Sequence, residues 1–111
     1  METRESASET INPRADIHRL NNRPGESCVV RYFDAAGNLT RVTDFEAEAL
    51  SGHYVIVRHS VSLIPGDFSS VTKNVGVFHI KKEVRDRTLE EARKYAETFR
   101  QEGATIINNA E

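Results

Sequence analysis

The chain reads as an α+β protein: a four-stranded, mainly antiparallel sheet (a meander) with one C-terminal helix packed across it and a short final edge strand. Three observations carry this reading. Residues 27–61 hold three runs rich in β-branched and aromatic side chains, separated by short turn-forming segments, which is how sequential antiparallel strands are written. Leu89, Ala92, Tyr95, Ala96 and Phe99 recur at helical spacing and form one apolar stripe, the mark of a helix with one buried face. Gly103 then stands where a left-handed residue would end that helix, and the extended-looking Ala104-Thr105-Ile106-Ile107 follows at once.

Taken in order, residues 1–11 are almost free of apolar side chains and are expected to be a disordered tail, with a single α+β domain over 12–108. Asn12-Pro13 has the chemistry of a helix start: Asn as cap, Pro at the first helical position. A short N-terminal helix with Ala15, Ile17 and Leu20 on one side is therefore predicted, ended by the Asn/Pro/Gly-rich residues 21–25. The first strand is placed at 27–33 and the second at 39–45, joined by Asp34-Ala35-Ala36-Gly37-Asn38 as a hairpin loop. The third strand is placed at 53–61. Pro65-Gly66 marks a turn, 67–74 a Ser/Thr-rich loop, and the fourth strand falls at 75–82. Thr88-Leu89-Glu90-Glu91 has the form of a capping box, which sets the helix start at Thr88.

Tyr32 to Asp44 resembles one unit of the YD (RHS-type) repeats, over thirteen residues. Such repeats build β-rich shells from many copies, and residues 52–67 carry no second Tyr…Gly-Asn-Leu pattern. A single unit cannot bury its own faces. The resemblance therefore supports the hairpin and implies no function.

Composition limits the possible functions. The chain has 111 residues, a formal net charge of −2 and one cysteine. That excludes an intramolecular disulfide, fits a reducing compartment, and lacks the basic excess of a dedicated duplex-DNA binder. There is no apolar run of bilayer-spanning length, and the first ten residues are polar and acidic without a signal-peptide core. The expectation is a cytoplasmic protein that does not enter a membrane.

No phosphate loop, H-E-x-x-H, C-x-x-C or nucleophile elbow is present, so no cofactor and no metal are expected. The reading that remains is a non-catalytic binding or regulatory protein acting through a protein partner or self-association. A homodimer is expected, because the strands carry apolar groups on both faces: Val55, Val57 and Val61 on one side, Tyr54 and Ile56 on the other. Two alternatives rest on particular residues. Residues 67–87 hold five basic and three acidic side chains. Lys73, Lys81, Lys82, Arg85 and Arg87 are thus candidates for binding single-stranded nucleic acid. His59 and His79, if neighbours on adjacent strands, would make an acid–base pair for phosphodiester cleavage, with Lys81 stabilising developing charge. Cys28, in an apolar strand, is read as structural.

Overall fold

The computed structural model describes residues 12–20 and 27–110. It holds one six-stranded mixed sheet and one long helix. The strands are β1 (Arg14–Leu20), β2 (Ser27–Phe33), β3 (Leu39–Leu50), β4 (His53–Ser62), β5 (Ser70–Phe78) and β6 (Thr105–Asn108). Their spatial order is β5-β4-β3-β2-β1-β6. β1 to β5 form an antiparallel meander, and β6 lies parallel to β1 at the edge. Between β5 and β6 runs helix α1 (Val84–Glu97), entered through a 3-10 turn at Lys81–Glu83 and prolonged by another at Thr98–Glu102.

The predicted N-terminal helix is corrected to strand β1. Ala15 and Ile17 are buried and two residues apart, a strand period. Arg14 Nε donates to Asp16 Oδ1 at 2.9 Å, and side chains two apart do not face each other on a helix. The Asn-Pro signal is overridden because β2 and β6 bond this segment on both sides, with the Thr105 amide donating to the Pro13 carbonyl at 2.9 Å. The expected tail at 1–11 and the expected helix end at 21–25 lie outside the described residues.

Three further expectations are corrected. The strand count is six rather than four. The strand expected at 75–82 is β5, beginning at Ser70 and ending at Phe78, so most of the predicted loop pairs with β4. The helix begins at Val84 rather than Thr88. Thr88 is fully buried inside it, and its hydroxyl donates to the Val84 and Arg85 carbonyls at 2.9 and 3.1 Å. The capping box does not form. Helix formation extends one turn earlier because Val84 packs against the core and the Arg87 guanidinium sits 5.5 Å from the Phe78 ring centre.

The helix end is as expected. Gly103 has φ +84°, and the Gly103 and Ala104 amides donate to the Arg100 and Phe99 carbonyls at 3.0 and 3.1 Å, a Schellman closure. The hairpin loop at Asp34–Asn38 is also present, with Gly37 at φ +89°.

The core lies between α1 and one sheet face. Ile17, Cys28, Val30, Phe45 and Ile56 from the sheet meet Leu89, Ala92, Ala96 and Phe99 from the helical segment. Each large side chain so buried contributes about 1.5–3 kcal/mol. Tyr32 stacks on Phe99 at 4.3 Å, and Phe45 and Phe99 lie 5.6 and 5.3 Å from Tyr95. These contacts fix which face every strand residue occupies.

Candidate functional site

Strand alternation sends Asp44, Glu46 and Glu48 of β3 to the face opposite α1, because Thr43 and Phe45 contact Tyr95 on the helix side. No helix among the described residues covers this second face. Following the register, Val42 pairs with Val61, Asp44 with His59, Glu46 with Val57 and Glu48 with Val55. On the other flank Asp44 meets Val29, Val42 meets Arg31, and Arg31 meets Asp16. The face thus has an acidic stripe on β3, valines on both sides of it, and a mixed region on β1 and β2 where Arg14, His18 and Arg31 surround Asp16, with which Arg14 pairs at 2.9 Å. Val29 and Val55 are 3% and 6% exposed, yet both lie outside the helix-side core.

Two grooves mark the face. One of about 280 Å³ is lined by Asp44, Glu46, Glu48, Val57, His59 and Thr72. Another of about 560 Å³ lies where β1, β6 and the β2–β3 turn meet, lined by Arg14, Phe33, Asp34, Thr105 and Ile107 among others. There the Arg14 guanidinium sits 4.0 Å from the Phe33 ring centre, a cation–π contact. Asp34 closes the turn: its Oδ1 accepts from the Asn38 and Ala36 amides at 2.9 and 3.0 Å. The Asn38 amide is the largest of the backbone donors that hold this carboxyl below the usual carboxylate range.

The predicted catalytic residues are not brought together. His59 pairs with Thr72, and its Nδ1 lies 2.7 Å from Thr72 Oγ1. His79 is seven residues farther along the chain, roughly 20 Å along the sheet. Its neighbour is His53, with ring centres 6.1 Å apart. Lys81, in the 3-10 turn, accompanies His79 and is remote from His59. The His53–His79 pair was hidden in the sequence, because finding it requires the β4–β5 register across the bulge at Ile56–Val57. Among the described residues no group of three or more His, Cys, Asp or Glu is placed to hold a metal ion.

Nor do the five candidate nucleic-acid residues make one patch. Lys73 is in mid-β5 opposite Arg58. Lys81 and Lys82 sit in the 3-10 turn and Arg85 in the first turn of α1. Arg87 is engaged by Glu83 at 3.6 Å and Glu90 at 3.8 Å, beside Phe78. Cys28 is buried in the helix-side core. No helix among the described residues is long and apolar enough to cross a membrane.

Compared with protein-family models, curated proteins and solved structures, the chain matches none of them.

Proposed function

We propose that this is a non-catalytic binding protein that self-associates through the sheet face opposite α1. The observation that carries the reading is the layout of that face. It presents the half-buried Val57 and Val61 and an acidic β3 stripe beside Arg31 of β2, so a second copy turned over would offer Arg31 to the acidic stripe and apolar groups to the valines. Such self-complementarity is what a two-fold interface requires. The separation of His59 from His79, and of Lys73 from the basic residues at 81–87, supports binding over the catalytic alternative.

Light scattering across low to high micromolar concentrations tests it. The expected result is a concentration-dependent dimer that Val57→Asp and Arg31→Glu each weaken, while Glu90→Lys on the exposed side of α1 leaves it unchanged. A monomer at high micromolar concentration, or a dimer indifferent to Val57→Asp and Arg31→Glu, would overturn the proposal.

A further inference from the structure

The outer edge of the sheet carries a different surface. β5 is an edge strand of nine residues, without proline, whose first five residues are all exposed. Over Ser70–Asn74, ahead of the bulge at Val75, its outward main-chain N–H and C=O groups form a template for another strand. The opposite edge, β6, is only four residues long.

On the α1 side of the sheet, away from the proposed self-association face, Lys73 of β5, Arg58 of β4 and Arg41 of β3 share one face beside Tyr95 of α1. Lys73 pairs in register with Arg58. The Arg58 guanidinium rests 5.1 Å from the centre of the Tyr95 ring. Arg41 Nη1 donates to Ser60 Oγ at 3.1 Å. Thr43 Oγ1 in turn hydrogen-bonds Ser60 Oγ at 3.0 Å and Tyr95 OH at 3.1 Å. The Ser60 hydroxyl thus holds Arg41, and the Tyr95 ring holds Arg58, on the same side of the sheet. The ion pairs formed among the described residues use other cations: Arg14, Arg87, Lys94 and Arg100. Two like charges directly opposite on adjacent strands are unfavourable, so the Lys73–Arg58 pair has an electrostatic reason to take up a carboxylate. Beside it the strand offers apolar contact: Val71 is 57% exposed and Phe68, at the hairpin tip, 73%.

We infer that the free edge of β5 binds an extended acidic peptide as a seventh strand. A carboxylate of the peptide lies between Lys73 and Arg58, and an apolar side chain two positions along lies on Val71. Charge decides against a second copy here. Asn74 is the midpoint of β5, so antiparallel self-pairing about it would bring two Lys73–Arg58 pairs together, four cations in one place. The row of main-chain donors and acceptors favours a peptide over a nucleic acid, which has no strand backbone to pair with.

The test is an amide-shift titration of the full chain, at low salt, with a capped Val-Glu-Val-Glu-Val peptide. Controls are Val-Lys-Val-Lys-Val, the acidic peptide N-methylated at alternate residues on either side, and oligo-dT. The acidic peptide is expected to bind with shifts along residues 70–78, and one N-methylated form is expected to fail. Lys73→Ala should weaken binding about fivefold, the scale of an exposed ion pair. Lys73→Glu should reverse the preference toward the basic peptide. Any of four results would overturn the inference: no binding of the acidic peptide, equal binding of both charge types, indifference to N-methylation, or tighter oligo-dT binding at the same strand. Val57→Asp should leave this binding intact, which separates its failure from that of the self-association reading.

Discussion

Thr88 shows how a residue's role depends on where the helix begins. As a cap, its hydroxyl would satisfy an orphan amide, and any loss would cost about 1 kcal/mol. Inside the helix it donates to the Val84 and Arg85 carbonyls, which helical amides one turn on already engage. Thr88→Val, which keeps the packed volume and leaves both carbonyls their helical amides, is therefore expected to cost less than Thr88→Ala. Thr88→Ala, which also removes packed volume, should cost about 1–2 kcal/mol. Denaturant midpoints for the two variants check this, and equal losses would favour a cap. Asp34 is the residue with a pH consequence. Its folded carboxyl is held below the unfolded value by the Asn38 and Ala36 amides. Its stabilisation is therefore present above the ordinary carboxylate range and is lost as pH falls through the lowered value. Asp34→Asn should accordingly flatten the acid side of the stability profile and alter the neutral side by a smaller amount, as thermal melts across acidic pH would show. Tyr32 shifts the other way. Burial, then the nearby Glu102 carboxylate, raise its phenol above the ordinary tyrosine value, so its contribution is present at neutral pH and is lost as alkaline pH passes the raised value.

Among the elements, the strand at 27–33 and the β2–β3 hairpin were legible from residues 27–45, because alternation and turn chemistry act locally. The helix stop was equally legible at Gly103. A Cβ there would meet nothing within 4 Å, so the cost of Gly103→Val is conformational, about 1–2 kcal/mol, and Gly103→Asn should cost less. Guanidinium melts of both variants test the order; Asn costing as much as Val would argue against the left-handed closure. β1 was not legible. Over residues 14–20, Ala15 and Ile17 suit a strand while Ile17 and Leu20 suit a helix, and the Asn-Pro pair tips a local reading toward the helix. What decides it is pairing with β2 and with β6, the latter some 90 residues away. A long-range cause of this kind leaves no local mark. The same holds for His53 and His79, and for the Ser/Thr-rich start of β5, whose strand character comes from β4. Because Ile17 is 1% exposed between two strands and under α1, Ile17→Ala should cost about 2–5 kcal/mol. A loss below 1 kcal/mol in urea unfolding would mean that β1 is peripheral.

For the molecule as a whole, the candidate surfaces were less readable than the core. Apolar groups on both strand faces were visible in the alternation of β4. The acidic stripe of β3 and the basic groups of β1 and β2 become one face only when three strands are aligned. The cations at 73–87 looked contiguous in the chain, but the β5–α1 turn distributes them over separate surfaces. One feature of the topology also bears on how the protein is made. β6 joins the sheet beside β1, and the Thr105 and Asn109 amides bond to Pro13 and Ile17 carbonyls. During synthesis on the ribosome, the β1–β5 meander emerges while α1 and β6 are still to come. Until they leave the exit tunnel, β1 has an open outer edge and the apolar side of the sheet is bare. Nascent chains in that interval offer a strand template to one another and a binding surface to holding chaperones. Ribosome-bound chains stalled so that residues 12–80 have cleared the tunnel and 81–108 have not should therefore associate with one another and with holding chaperones, whereas chains stalled after β6 has emerged should not.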